Sequence, residues 1–294
     1  MKKAFLFPGQ GAQFPGMGKD LYDAFPQIRK QFDLANERLG FSISSIMFGD
    51  NAEALIQTRV TQPALFLHAT LTMQARLANS LPDAVAGHSL GEFSALVASR
   101  CISFEDGLDL VYQRALAMQI ACENHPGTMA AVVGLDDELV ETVCSEVTTG
   151  VVVPANYNCP GQLVISGSID AVKEAMETLR TKDGAKVIPL SVGGAFHSPL
   201  MSPAADMLAK AIERIDFQVP LCPIYQNVTA LAETEPVRIK ENLLRQLTAP
   251  VRFTQSLRQM IADGISSFVE VGGNGKVLQG LVRKVDRQVE ISAL

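Results

Sequence analysis

The sequence predicts an α/β protein built on a mostly parallel sheet, with a smaller unit inserted after residue 125. Three observations carry this. Outside 126–192, short apolar runs alternate with segments of helical length, the rhythm of strand–helix–strand crossovers. Two of those runs, DAVAGHS and SSFVEVG, lead through glycines directly into helical sequence. Between 126 and 192 the order changes to strand, helix, strand, strand, helix, strand.

KKAFLF reads as a buried first strand, followed by the glycine-rich loop FPGQGAQFPGMG. This loop is not a nucleotide cradle. The dinucleotide fingerprint needs glycine where Phe14 stands, and the P-loop fails because Gly18-Lys19 is followed by Asp20, with Gln13 five residues before Gly18. Helical sequence follows in MGKDLYDAFPQIRKQFDLANERLG and again in PALFLHATLTMQARLANS, where Pro63 suits a first turn. DAVAGHS is a strand and 91–99 a helix. Ser103, with Asp106 three residues on, then starts the helix through DGLDLVYQRALAMQIA in the manner of a capping box.

From Thr128, TMAAVVG, DDELVETVCSEV, VVVPANYN, QLVISGS, AVKEAMETLRT and AKVIPLS give β-α-β-β-α-β, the order of a ferredoxin-like unit. Residues 126–192 are therefore expected to form a subdomain, and 1–125 with 193–294 the main body. That body resumes with a helix near Pro199, a strand at CPIYQNV, helices over 237–248 and 253–263, the strand SSFVEVG and a last helix in NGKVLQGLVRK.

With 294 residues, 47% of them hydrophobic, the chain can bury a large core. A net charge of −6 argues against a nucleic-acid binder, so an anionic ligand must meet a local cation. Five cysteines, odd in number and without a C-x-x-C pair, point to reduced thiols and a cytoplasmic setting. The apolar run AFLF is too short for a signal peptide, and no apolar stretch reaches membrane-spanning length.

Gly87-His88-Ser89-Leu90-Gly91 matches G-x-S-x-G between an apolar strand and a helix, the setting of a nucleophile elbow. There a serine hydroxyl stands out at the strand end, and the N–H of Leu90 can face a developing oxyanion. A structural turn is the alternative. Of the four histidines, His68 reads as core, His88 as a buttress, and His125 as surface. His197 sits in a loop just before a helix capped by Ser198 with Pro199 at its first position, which suits a base as well as it suits a structural histidine. No acid close in sequence completes a triad. Arg114 is the only charged residue between Asp109 and Glu123 and has no partner on its own helix. It either snorkels or awaits a carboxylate ligand. The late VEVGGNGKVLQGLV junction reads as close sheet–helix packing rather than an anion site.

Taken in order, FPGQGAQ, TQPALF, GHSLGEF, QRALAMQ, NYNCPGQLVISG, AFHSPLM, YQNV, QLTAPVRF and VEVGGNGKVLQGL resemble the malonyl-CoA:acyl-carrier-protein transacylases and related polyketide acyltransferase domains along essentially the whole chain. The resemblance implies an α/β-hydrolase-like core with a ferredoxin-like insertion. It implies Ser89 as nucleophile, His197 as acid/base held through a main-chain carbonyl near Gln246, and backbone N–H groups of Gln10 and Leu90 as oxyanion donors. By the same resemblance Arg114 binds the malonyl carboxylate, and Phe196 crowds a methyl branch beside the α-carbon. Ala12 departs from the serine many relatives carry there. The partners implied are malonyl-CoA, a coenzyme A thioester used as substrate, and holo acyl carrier protein, in fatty-acid synthesis. No tightly bound cofactor, metal, nucleic acid or membrane is expected, and the protein is expected to be a monomer. A carrier-protein surface would need basic residues, with Lys182, Lys186, Arg283, Lys284 and Arg287 as candidates. Two rivals are a serine hydrolase, including a patatin-like form using Asp183-Gly184-Ala185, and a non-catalytic carrier-protein binding module.

Overall fold

Ala4, Phe5, Leu6 and Phe7 are all fully buried, and they feed two different cores: Phe5 and Phe7 one, Ala4 and Leu6 the other. Burial on both faces is the mark of a central strand in a parallel sheet covered on both sides. The computed structural model describes residues 1–78 and 80–294. Its elements begin with β1 (Lys2–Phe7), α1 (Lys19–Ala24), α2 (Pro26–Leu39), α3 (Ile43–Phe48), α4 (Ala52–Ile56), α5 (Thr58–Arg76), β2 (Ala84–Gly87), α6 (Gly91–Ala98) and α7 (Phe104–Asn124). A second unit contains β3 (Gly127–Val133), α8 (Asp137–Glu146), β4 (Val152–Cys159), β5 (Gln162–Ser168), α9 (Ile169–Arg180) and β6 (Lys186–Pro189). After a 3₁₀ turn at Pro199–Met201 come α10 (Ser202–Ile212), β7 (Ile224–Tyr225), β8 (Ala232–Glu233), α11 (Pro236–Arg245), α12 (Phe253–Ala262), β9 (Ile265–Glu270), α13 (Val277–Val285) and β10 (Glu290–Ala293).

The larger sheet has the order β10-β9-β1-β2-β7-β8, parallel except for the short β7–β8 pair. The smaller sheet, β4-β5-β3-β6, is antiparallel throughout and packs α8 and α9 over its own core of Val132, Val140, Leu163, Ile165, Val172 and Leu179. It is tied to the larger body where Val251 bonds to two residues of β4, its carbonyl accepting the Tyr157 N–H at 2.9 Å and its N–H donating to Ala155 O at 2.8 Å. The mixed α/β architecture with a mostly parallel sheet is the one expected.

Several elements differ in detail from the sequence expectation. The helix expected from Pro63 to Ser80 starts earlier, at Thr58, and ends at Arg76; Asn79 in that stretch lies outside the described residues. Pro63 is inside the helix, but just beyond the first turn, whose N–H groups have no helical acceptor. Its missing N–H therefore removes a single ladder bond, to the exposed Arg59. The strand expected at 222–228 keeps only two ladder residues, because the Asn227 N–H donates to Glu92 Oε2 at 2.9 Å and its carbonyl accepts the Arg252 N–H at 3.0 Å, instead of pairing with a neighbouring strand. The helix near Pro199 opens as a 3₁₀ turn, with Ser198 Oγ accepting the Leu200 N–H at 3.3 Å.

Candidate active site

Strand register sets the site. Phe7 pairs with Gly87, so the loop after β1 and the turn after β2 leave the sheet side by side. A Cβ at Gly91 would collide with the Phe7 carbonyl, and one at Gly9 with the His88 carbonyl; at Gly87 it would strike the Gly91 and Glu92 backbone. The glycines in both loops thus permit close backbone approach. Between them Ser89 stands at φ 52°, in the left-handed region that costs a non-glycine residue about 1–3 kcal/mol. A cleft of about 300 Å³ opens here, lined by Gln10, Ser89, Leu90, Arg114, Phe196 and His197 with residues of β4 and β5. Among the described residues, neither the Gln10 N–H nor the Leu90 N–H has a hydrogen-bond partner.

Ser89 Oγ lies 2.7 Å from His197 Nε2. His197 Nδ1 faces two carbonyls, Gln246 O at 3.0 Å and Ala249 O at 3.2 Å. Both are acceptors, so Nδ1 carries the proton and Nε2 accepts from the serine hydroxyl. These carbonyls are free because α11 ends at Arg245 and its successors leave the helical ladder. Burial, then the Arg114 charge, lowers the His197 pKa from 6.5 to about 3, and the imidazole is neutral at pH 7. His197 itself has φ 58°, so both members of the pair occupy left-handed backbone.

Arg114 is fully buried on α7 and aimed at the same serine. Its Nη2 donates to Ser89 Oγ at 3.0 Å and to Gln246 Oε1 at 3.3 Å, its Nη1 to Gln62 Oε1 at 2.7 Å, and Cζ sits 5.6 Å from the Phe93 ring centroid. Its buried Nε has no partner among the described residues. Burial lowers its pKa to about 10 and the nearby Glu92 opposes the shift, so it stays cationic at neutral pH. A neutral base, a hydroxyl bonded to it, two free amides and a fixed cation are the parts needed for acyl transfer from a substrate bearing a negative charge.

Residues 4–293 match the acyl transferase domain family. The chain belongs to that family. It is 44% identical over 296 residues to the malonyl CoA-acyl carrier protein transacylase of Bacillus subtilis, covering all of this chain and 93% of that one. A Vibrio cholerae acyl carrier protein S-malonyltransferase structure superposes with a TM-score of 0.94 at 39% identity, over 100% of this chain and 97% of the other. A malonyl-transacylase solved in complex with its type II PKS acyl-carrier protein gives 0.94 at 36% identity, over 100% and 96%.

Within this acyltransferase the residues singled out in the sequence, Ser89, His197, Arg114, Gln246, Gln10, Leu90 and Phe196, meet around one cleft. Phe196 lines it together with Met118, Met129 and Val164. His68 is buried, and its Nδ1 accepts the Gly273 N–H at 2.9 Å; His125 is exposed; His88 holds Asn158 Oδ1 at 2.8 Å from Nε2. Asp183 lies inside the turn that the Ala185 N–H closes by donating to Lys182 O at 3.2 Å, and it does not line the cleft. Four polar residues of the acyltransferase escaped the sequence reading: Gln62, Glu92, Gln226 and Asn227, all essentially buried. Glu92 accepts from Asn227 N–H at 2.9 Å and Gln226 Nε2 at 3.1 Å, and burial raises its pKa. The available signal for Glu92 was a lone charge in GEFSALVA, where Ser94 is the one other polar side chain and no opposite charge lies on the same helix.

Proposed function

We propose that this acyltransferase moves a malonyl group from malonyl-CoA to the phosphopantetheine thiol of holo acyl carrier protein through an ester on Ser89. The observation that carries the reading is Arg114, fully buried and 3.0 Å from the Ser89 hydroxyl. A cation locked beside the nucleophile favours an acyl group that ends in a carboxylate, because a plain acyl chain leaves a buried guanidinium unpaired. Relatives named for malonyl transfer, and one solved with its acyl-carrier protein, support the same substrate and acceptor.

In the first half-reaction Ser89 Oγ attacks the thioester carbonyl and its proton passes to His197 Nε2. The N–H groups of Leu90 and Gln10 hold the oxyanion, each lowering the barrier by about 2.7–4 kcal/mol. The intermediate collapses by breaking the C–S bond, and the coenzyme A thiolate takes the proton from His197. The substrate carboxylate also offsets the Arg114 charge that depresses His197, so the base strengthens when the right acyl group arrives. In the second half the carrier-protein thiol gives its proton to His197 and attacks the ester; the acyl–Oγ bond breaks, and the proton on His197 passes to Ser89 Oγ, restoring the hydroxyl. Gln246 orients His197 through its carbonyl, and Phe196 narrows the acyl end of the cleft. Coenzyme A enters as part of the substrate, and serine and histidine supply the chemistry. In this reading 1–125 and 193–294 form the catalytic body, and 126–192 a subdomain whose β4 and β5 wall the cleft. Five free cysteines suit a cytoplasmic enzyme supplying fatty-acid elongation.

The test is intact mass after brief mixing with malonyl-CoA. A malonyl adduct on the wild type, absent from Ser89→Ala and discharged by holo acyl carrier protein faster than by water, is the expected result. Free malonate without an adduct would make the protein a hydrolase, and neither adduct nor turnover would leave only a binding module.

A further inference from the structure

We infer that Asn227 is the positioning residue of the acyl-transfer site, clamping the turn that presents Ser89 through both atoms of its side-chain amide. The inference rests on the reading of Ser89 as the nucleophile. Asn227 Oδ1 accepts the Ser89 N–H at 2.7 Å, and Nδ2 donates to Gly87 O at 2.6 Å. The orientation of the amide is forced, since Gly87 O can only accept and the Ser89 N–H can only donate. One side chain therefore ties the last strand residue to the crest of the turn, across backbone that neither β2 nor α6 holds in its own ladder.

Asn227 is itself fixed on both sides. Its N–H donates to Glu92 Oε2 at 2.9 Å, in the first turn of the helix that follows Ser89, and its carbonyl accepts the Arg252 N–H at 3.0 Å. The neighbouring Gln226 braces the same carboxylate, donating to Glu92 Oε1 at 3.1 Å and to Ile239 O at 3.1 Å. Ser89 sits in left-handed backbone, a conformation that persists only when its surroundings over-determine it. The glycines remove steric barriers to this turn, and Asn227 supplies the attraction that selects it. A second consequence concerns the amides. With the Ser89 N–H engaged by Asn227, the Leu90 N–H is the first along the turn left without a partner among the described residues, so Asn227 also decides which amide faces the reacting carbonyl.

The experiment measures pre-steady-state coenzyme A release from malonyl-CoA by wild type, Asn227→Ala and Asn227→Asp, with thermal melts to confirm folding. The aspartate keeps the shape and the acceptor for the Ser89 N–H but loses the donor to Gly87 O. A misplaced nucleophile lowers the acylation rate constant, expected roughly 10- to 100-fold, while KM stays within about twofold because Arg114 and the cleft walls are untouched. Folded variants that acylate at the wild-type rate, or that lose only in KM, overturn the clamp. A wild type that forms no ester at Ser89 overturns the underlying reading and the clamp together, so the two failures are distinguishable. Amide hydrogen exchange on the free wild type needs no variant: the Ser89 N–H is expected to be protected and the Leu90 N–H not, and an unprotected Ser89 amide overturns the inference.

Discussion

Two junctions of the same sheet pass through glycines into a helix, and only one of the two sets a hydroxyl against a histidine, Ser89 Oγ lying 2.7 Å from His197 Nε2. After β2, the crest at φ 52° is a serine, and the next amide, that of Leu90, has no partner among the described residues. After β9, the left-handed positions are glycines themselves, Gly272, Gly273 and Gly275, and their neighbourhood is spent on packing. The Gly272 N–H donates to Leu294 O at 3.0 Å and the Gly273 N–H to His68 Nδ1 at 2.9 Å, and α13 begins only at Val277. A Cβ at Gly272 would lie 2.6 Å from Ala69 Cα. Glycine between strand and helix thus signals close approach in both places. Chemistry requires two further things: a non-glycine residue forced into left-handed backbone, and an amide left free beside it.

The largest effect that separates the junctions comes from trimming each crest. Ser89→Ala is expected to lower malonyl transfer by at least about 10⁴-fold with an unchanged melting temperature. Asn274→Ala, which removes an exposed side chain bonded only to the Lys276 N–H at 3.1 Å, is expected to change it less than about twofold. Steady-state transfer assays on the two variants check this, and comparable losses would erase the distinction.

Next in size is the contact that makes the first junction selective. Arg114→Ala is expected to cut kcat/KM for malonyl-CoA by roughly 100-fold and to raise the relative use of acetyl-CoA, since the unpaired cation no longer penalises a neutral acyl chain. Competition between the two thioesters gives the ratio directly. An unchanged malonyl preference would remove Arg114 from the specificity of the site.

The same contrast shows what could be read from sequence. β1, β2 and the 126–192 pattern were legible because apolar runs bounded by glycine or polar turns report burial locally. Ser89 and His197 stood out as candidates because each sits at a junction with a local signature, although for His197 only the family resemblance favoured a base over a structural histidine. α3, α4, β8 and β10 were not: they are short, and β10 exists by pairing with β9 rather than by its own half-exposed EISA sequence. Asn227 and Gln62 were equally silent. Asn227 reaches Ser89 across 138 positions and Gln62 reaches Arg114 across 52, and no spacing rule encodes such a meeting. Pro63 misled because first-turn proline is a preference, and the helix tolerated it one turn later.

Backbone crowding should affect the two junctions alike in stability and differently in activity. Gly91→Ala sets a methyl against the Phe7 carbonyl, and Gly272→Ala sets one against Ala69 at φ 83°. Each is expected to destabilise the fold by about 2–3 kcal/mol. Melts would show similar shifts. Turnover per folded molecule should fall only for Gly91→Ala, because only there does the displaced backbone carry Ser89, the proposed nucleophile, and the Leu90 amide.

The smallest effect is a rate that does not move. Each junction holds a buried histidine: His197 against Ser89, with its pKa lowered to about 3, and His68 against Gly273, lowered to about 4, burial being the main cause for both. A lowered pKa keeps the imidazole unprotonated as acid is added, so His197 remains a competent acceptor well below the value of an exposed histidine. Labelling of Ser89 by a fluorophosphonate, counted per folded molecule, should therefore change less than about twofold between pH 8 and pH 5, where an unperturbed imidazole would lose roughly thirtyfold. Removing the Arg114 charge should move the acid limb upward, because that charge is the second cause of the depression. A midpoint near 6.5 in the wild type would mean that His197 is solvated when it works. His68 shares the depressed value but has no hydroxyl to deprotonate, its Nδ1 being occupied by the Gly273 amide. Low basicity alone therefore does not separate the two histidines; what does is that Nε2 of His197 accepts from a serine held in left-handed backbone, the contact on which the proposed role rests.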